Sequence, residues 1–64
     1  MTKLLKLPDV RERTGLSRSR IYEMLATGEF PRPVKLSPRL NAWPEHEVSD
    51  WIAARIAGRD AAHS

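Results

Sequence analysis

The sequence predicts a mainly α fold with a small β-hairpin, arranged as a compact winged helix-turn-helix. Three observations carry this. Two short helical patterns are separated by only Gly15-Leu16-Ser17, the brief glycine-containing turn of a helix-turn-helix. Two alternating runs, Val34-Lys35-Leu36 and Leu40-Asn41-Ala42-Trp43, flank Ser37-Pro38-Arg39, whose turn chemistry suits a hairpin. A third stripe of Val48, Trp51, Ile52 and Ile56 recurs at helical spacing.

The elements follow in order. Leu4, Leu5 and Leu7, with Lys3 and Lys6 among them, read as a short extended segment or a frayed lead-in. Pro8 suits the first position of a helix, where its missing N–H costs nothing. Asp9 places a carboxylate near the positive helix end. This helix runs to about Thr14, with Gly15 as its left-handed cap and Val10 as its clearest inward residue. Ser17 is the N-cap of the second helix, with Leu16 and Ile21 at staple spacing around it. Ile21, Met24 and Leu25 form its buried face, Tyr22 lies at the edge, and Gly28 ends it. Pro31-Arg32-Pro33 forces an extended path into the hairpin, where Leu40 and Ala42 are expected on one face and Asn41 and Trp43 on the other. Pro44 opens the third helix, Glu45 and Glu47 match its dipole, and Gly58 is expected to stop it. Residues 1–57 thus form one domain, and residues 58–64 a short polar tail.

Sixty-four residues leave no room for a core plus a deep catalytic pocket. With no cysteine, disulfides and thiolate metal sites are excluded. His46 and His63 lack zinc spacing, and Glu45, His46, Glu47 and Asp50 read as a solvated helix start rather than an acid–base or metal site. No enzyme, cofactor or metal is expected. The N-terminus is too short and charged for a signal peptide, and no apolar run suits a membrane span, so a cytoplasmic, nucleoid-associated protein is expected.

Charge is more telling in its distribution than in its sum of +3. Residues 1–42 hold nine Lys/Arg and four acids, a net of +5, and residues 43–64 hold two Arg and four acids, a net of −2. A basic front and an acidic back orient a small chain in the field of a polyanion. The second helix opens Ser17-Arg18-Ser19-Arg20-Ile21-Tyr22. Arginine there opposes the helix dipole, a broken local rule that marks a functional site. Helix-turn-helix proteins present this turn to base edges in the major groove, where arginine donors match guanine O6 and N7. Arg18 and Arg20 are therefore the expected readers, with Ser17, Ser19 and Tyr22 beside them. The bland alternative makes both arginines surface cations paired with Glu23 or other acids. Lys35, Ser37, Arg39 and Asn41 on the hairpin are the expected wing contacts to the DNA backbone. Phe30, Trp43 and Trp51 read as core or helix-packing residues rather than base-stacking platforms.

These residues also resemble a known family. Leu7-Pro8-Asp9-Val10, Thr14 to Tyr22, Gly28-Glu29-Phe30-Pro31-Arg32-Pro33-Val34-Lys35-Leu36, Ala42-Trp43, Glu47-Val48 and Trp51-Ile52 together resemble AlpA-type phage regulators across about residues 4–57. The resemblance implies a winged helix-turn-helix related to the DNA-binding domains of MerR-type regulators and to phage excisionases. It also implies prophage transcriptional regulation or, alternatively, the bending of DNA for an integrase. Arg20 departs from the small Thr or Ala common at its position, so it is either a different base contact or an added phosphate clamp. Double-stranded DNA is the expected partner, as a homodimer or cooperative array, with an integrase or RNA polymerase as the candidate protein partner. A protein-interaction module using Ile52, Ala53, Ile56 and Ala57 is the alternative from another class.

Overall fold

The computed structural model describes residues 2–63. The order is β1 (Leu4–Lys6), α1 (Leu7–Thr14), α2 (Arg18–Thr27), β2 (Val34–Ser37), β3 (Leu40–Pro44) and α3 (Glu45–His63). This is the winged helix-turn-helix layout, with one strand more than the hairpin requires.

Local chemistry sets the helix-turn-helix. Gly15 adopts φ +72° and donates its N–H to the Arg11 carbonyl at 2.8 Å. The Thr14 hydroxyl donates to the Val10 carbonyl at 2.8 Å and accepts from Leu16 N–H at 3.3 Å, which holds the turn from both sides. Ser17 Oγ then accepts the Arg20 N–H at 3.1 Å, satisfying one of the orphan donors at the start of α2. Gly28, at φ +76°, ends α2, and Glu29 N–H donates back to the Met24 carbonyl at 2.8 Å.

The sheet is antiparallel with order β1-β3-β2. The lead-in is therefore a strand, not a frayed end. Leu5 pairs with Trp43 and Lys6 with Ala42. This makes β3 the central strand, and Ala42, Trp43 and Pro44 are all buried. Successive strand residues face opposite ways, so this end of β3 is covered on both faces. Leu40 and Ala42 thus face one way and Asn41 and Trp43 the other, as expected, but burial does not alternate with them. Leu40 is exposed, and Trp43, at 0% exposure, is the largest fully buried side chain. Pro44 ends β3 instead of opening α3.

The core gathers Leu5, Val10, Ile21, Met24, Phe30, Trp43 and Val48, with Leu7, Leu16, Leu25, Trp51 and Ile52 packed against it. Phe30 meets both indoles edge-on, with centroids 6.4 Å from Trp43 and 4.9 Å from Trp51. Trp43 Nε1 donates to the Pro31 carbonyl at 2.9 Å, and Trp51 Nε1 to the Glu29 carbonyl at 2.8 Å. Arg13 ties α1 to the start of α3 through Glu45 at 2.8 Å.

Two expectations for α3 are corrected. Ile56, placed in the inward stripe, is 47% exposed, because the helix has outrun the core by that point. Gly58 does not stop the helix, which continues to His63. A glycine caps a helix by turning left-handed, and among the described residues only Gly15 and Gly28 have positive φ. Ala57, Ala61 and Ala62 around Gly58 favour helix, so residues 58–63 of the expected polar tail are helical. Ser64, the last residue of that tail, lies outside the described residues.

Two pairs of substitutions test this packing by thermal melts followed by circular dichroism. Trp43→Ala is expected to cost about 3–5 kcal/mol, enough to unfold a domain of this size, whereas Ile56→Ala stays within about 0.5 kcal/mol. Gly58→Ala, whose added Cβ meets nothing within 4 Å, is expected to stabilise by up to about 1 kcal/mol. Gly28→Ala, at positive φ, is expected to destabilise by about 1 kcal/mol or more.

Candidate nucleic-acid interface

The first turn of α2 is chemically unlike those of the other helices. Asp9 stands in the first turn of α1, and Glu45 and Glu47 in that of α3, but α2 has no acid there. It has Arg18, Ser19 and Arg20, all exposed. The turn therefore adds two cations to a helix end that is already positive.

The two arginines stand apart. At about 100° per residue, Arg18 and Arg20 flank the outward direction of α2 on opposite sides, with Ser19 between them. The Arg18 guanidinium lies 5.6 Å from the Tyr22 ring centroid, a cation–π distance. Arg20 Nη1 reaches Glu23 Oε2 at 3.0 Å, the pairing expected of a surface cation. Both partners are more than half exposed, so this bond is weak and readily exchanged. Ser17 acts first as a cap, with its oxygen engaged by Arg20 N–H and its hydroxyl proton left to donate. Tyr22 is exposed at the edge of the buried face.

The wing is built on β2 and β3. Lys35 pairs with Asn41 and Ser37 with Leu40, with an irregularity between Lys35 and Ser37. Register partners share a face, so Lys35 and Asn41 stand together on one side of the wing. Arg39 lies in the turn at its tip. Lys35, Ser37 and Arg39 are exposed and Asn41 is half-buried.

The fold joins helix and wing. A groove of about 260 Å³ is lined by Arg18 and Tyr22 of α2, by Arg39, Leu40 and Asn41 of the wing, and by Lys6, Leu7 and Pro8 from the β1–α1 junction. Of the nine expected site residues, Arg18, Tyr22, Arg39 and Asn41 thus share one surface, while Ser17, Ser19, Arg20, Lys35 and Ser37 do not line it. Lys6 is the residue that sequence reasoning passed over. Its only signal was a positive charge beside the first helix, which many surface lysines share.

The remaining surface offers other chemistry. A groove of about 410 Å³ beside Phe30 and Trp51 carries Glu29, Glu47 and Asp50 and no cation. Ala53, Ile56 and Ala57 of the expected interaction stripe are exposed, while Ile52 packs against the core. Among the described residues no group of three or more His, Cys, Asp and Glu stands close enough to hold a metal ion. No helix among them is long and apolar enough to cross a membrane.

The chain is similar to known proteins. A protein of Enterobacteria phage P4 described as ORF88 is 49% identical over 57 residues, covering 89% of this chain. The chain spans 65% of the length of that phage relative. A protein of Escherichia coli (strain K12) described as the DNA-binding transcriptional activator AlpA is 30% identical over 59 residues, covering 83% of this chain and 84% of its own length. The family described as prophage CP4-57 regulatory protein (AlpA) matches residues 3–56, which span the helix-turn-helix, the wing and most of α3, and the chain belongs to that family.

Proposed function

We propose that the protein is a sequence-specific double-stranded-DNA-binding regulator of prophage or integrative-element genes, working by binding and not by catalysis. In this reading α2 enters the major groove, and the wing follows the adjacent backbone. The observation that carries it is the first turn of α2, with two arginines, two hydroxyls at Ser17 and Ser19, and no carboxylate. Local stability favours acids at that position, and a polyanion supplies the missing counter-charge. Ser19, Arg20 and Tyr22 are assigned to base edges or nearby phosphates, and Lys35, Ser37, Arg39 and Asn41 to the backbone beside them. Arg20 leaves Glu23 for the DNA at small cost, because that ion pair is exposed.

The Escherichia coli relative is described as a DNA-binding transcriptional activator, which favours operator binding over the direction of a recombinase. RNA polymerase rather than an integrase is then the protein partner that the reading calls for. A single module of this kind buries about 600–1,000 Å² on DNA. Useful affinity therefore calls for a dimer or for neighbouring copies on repeated sites. Such a regulator works in the cytoplasm, where the DNA is.

Fluorescence anisotropy with labelled duplexes tests the reading. Log affinity against log salt is expected to fall with a slope of about −2.7 or steeper, the value for three neutralised phosphates. An affinity that does not change with salt would overturn the proposal. On the selected operator, Arg20→Ala is expected to lose about 1–3 kcal/mol of discrimination at one base pair with little change in melting temperature. Lys35→Ala is expected to weaken all sequences about equally and to flatten the salt slope by about 0.9.

A further inference from the structure

We propose that the groove between α2 and the wing is a seat for a backbone phosphodiester of duplex DNA, with Lys6 of β1 as a contact from a third element. The proposal rests on the DNA-binding reading above and adds a residue and a place to it.

The groove differs from the others in its charge. Lys6, Arg18 and Arg39 line it, and no carboxylate does. The groove beside Lys3 mixes that cation and Arg13 with Asp9 and Glu12. The groove at Pro8 and Ser17 pairs Arg11 with Glu12. Among the described residues, the ion pairs join Arg13 to Glu45, Arg20 to Glu23 and Arg59 to Asp60, so the three cations of this groove have no acid partner. Three unpaired cations around one concavity repel each other, and an anion between them removes that repulsion.

The neutral lining suits the same ligand. Asn41 supplies an amide donor and Tyr22 a phenolic O–H, both common phosphate contacts. Leu7 and Pro8 open α1, and Lys6 precedes that helix with no side-chain cap. The volume of about 260 Å³ has room for a phosphodiester.

Position explains what such a seat would do. Lys6 is held by its register pairing with Ala42 on the central strand, so its backbone cannot drift relative to the wing. Arg18 sits one residue into α2. A phosphate held between them fixes how far α2 enters the major groove relative to the wing. Arg18 then acts as a clamp on the backbone instead of a base reader, and base reading falls to Ser19 and Arg20.

The experiment uses the full chain and a labelled random-sequence duplex of about 20 base pairs, because phosphate contacts carry no sequence information. Lys6→Ala is expected to weaken binding about threefold to tenfold at low salt and to flatten the salt slope. Lys6→Arg is expected to bind like the unaltered protein. Lys3→Ala removes the same charge three residues away, beside a groove that holds its own acids, and is expected to have less than about a twofold effect. Equal losses for Lys3→Ala and Lys6→Ala would reduce the effect to net charge and overturn the seat. So would unchanged binding by Lys6→Ala while the unaltered protein binds with a steep salt slope. Failure of the unaltered protein to bind duplex at any salt would instead overturn the DNA-binding reading on which the seat rests. Melting curves for the three variants are expected to coincide with that of the unaltered protein, since both lysines are exposed.

Discussion

The structure depends on the clamp that two tryptophans place on the segment between α2 and β2. That segment contains two prolines, so its backbone can neither continue a helix nor join a ladder fully. Its carbonyls at Glu29 and Pro31 instead accept the indole N–H groups of Trp51 and Trp43. Phe30 lies between the two rings, with its edge contacts reaching both. Each neutral hydrogen bond contributes about 1 kcal/mol net, and each edge-to-face pair about 0.5–1.5 kcal/mol beyond its buried area. The clamp also does something that energies alone do not convey. Trp43 belongs to the sheet, Trp51 to α3 and Phe30 to the chain leaving α2, so one aromatic cluster sets the mutual position of all three. The distance from the start of α2 to the wing follows from it.

Charge is divided along the same lines. Of the acids in the carboxyl-terminal third, Glu45 and Glu47 stand at the start of α3, and Glu45 and Asp60 pair with cations. Glu45 takes Arg13, and Asp60 takes Arg59. Glu23 takes Arg20 through an exposed bond, which leaves that arginine free to exchange partners. Among the described residues Arg18 and Arg39 have no acid partner. A chain of this size has a small margin of stability. Arginines at the positive end of α2 cost part of that margin, each about 0.3–1 kcal/mol at low salt. The packed core offsets this cost without a disulfide.

Much of the fold was legible because its signals are local. The caps at Gly15, Ser17 and Gly28 act within four residues of where they stand, so helix limits could be read directly. The arginines that oppose their own helix dipole stood out for the same reason. Other features were hidden because they depend on distant partners. A three-residue strand carries too short a pattern to be recognised, and β1 is a strand only because β3 pairs with it from nearly forty residues away. Ile56 fits a helical stripe perfectly well, yet nothing lies opposite it.

The helix-turn-helix, the wing and the unmatched cations in the first turn of the second helix are written in the order of residues along the chain. These follow from dipoles, caps and alternation, which act over one or two turns of chain. Only the tertiary structure decided that Trp43 is buried at the centre of a three-stranded sheet, that α3 runs past the core through Gly58, and that Arg18, Arg39 and Lys6 line one groove. The physical reason is that burial and convergence of charge are properties of surfaces brought together from separate elements. No spacing along the chain encodes which lysine will stand beside which arginine once the sheet has closed.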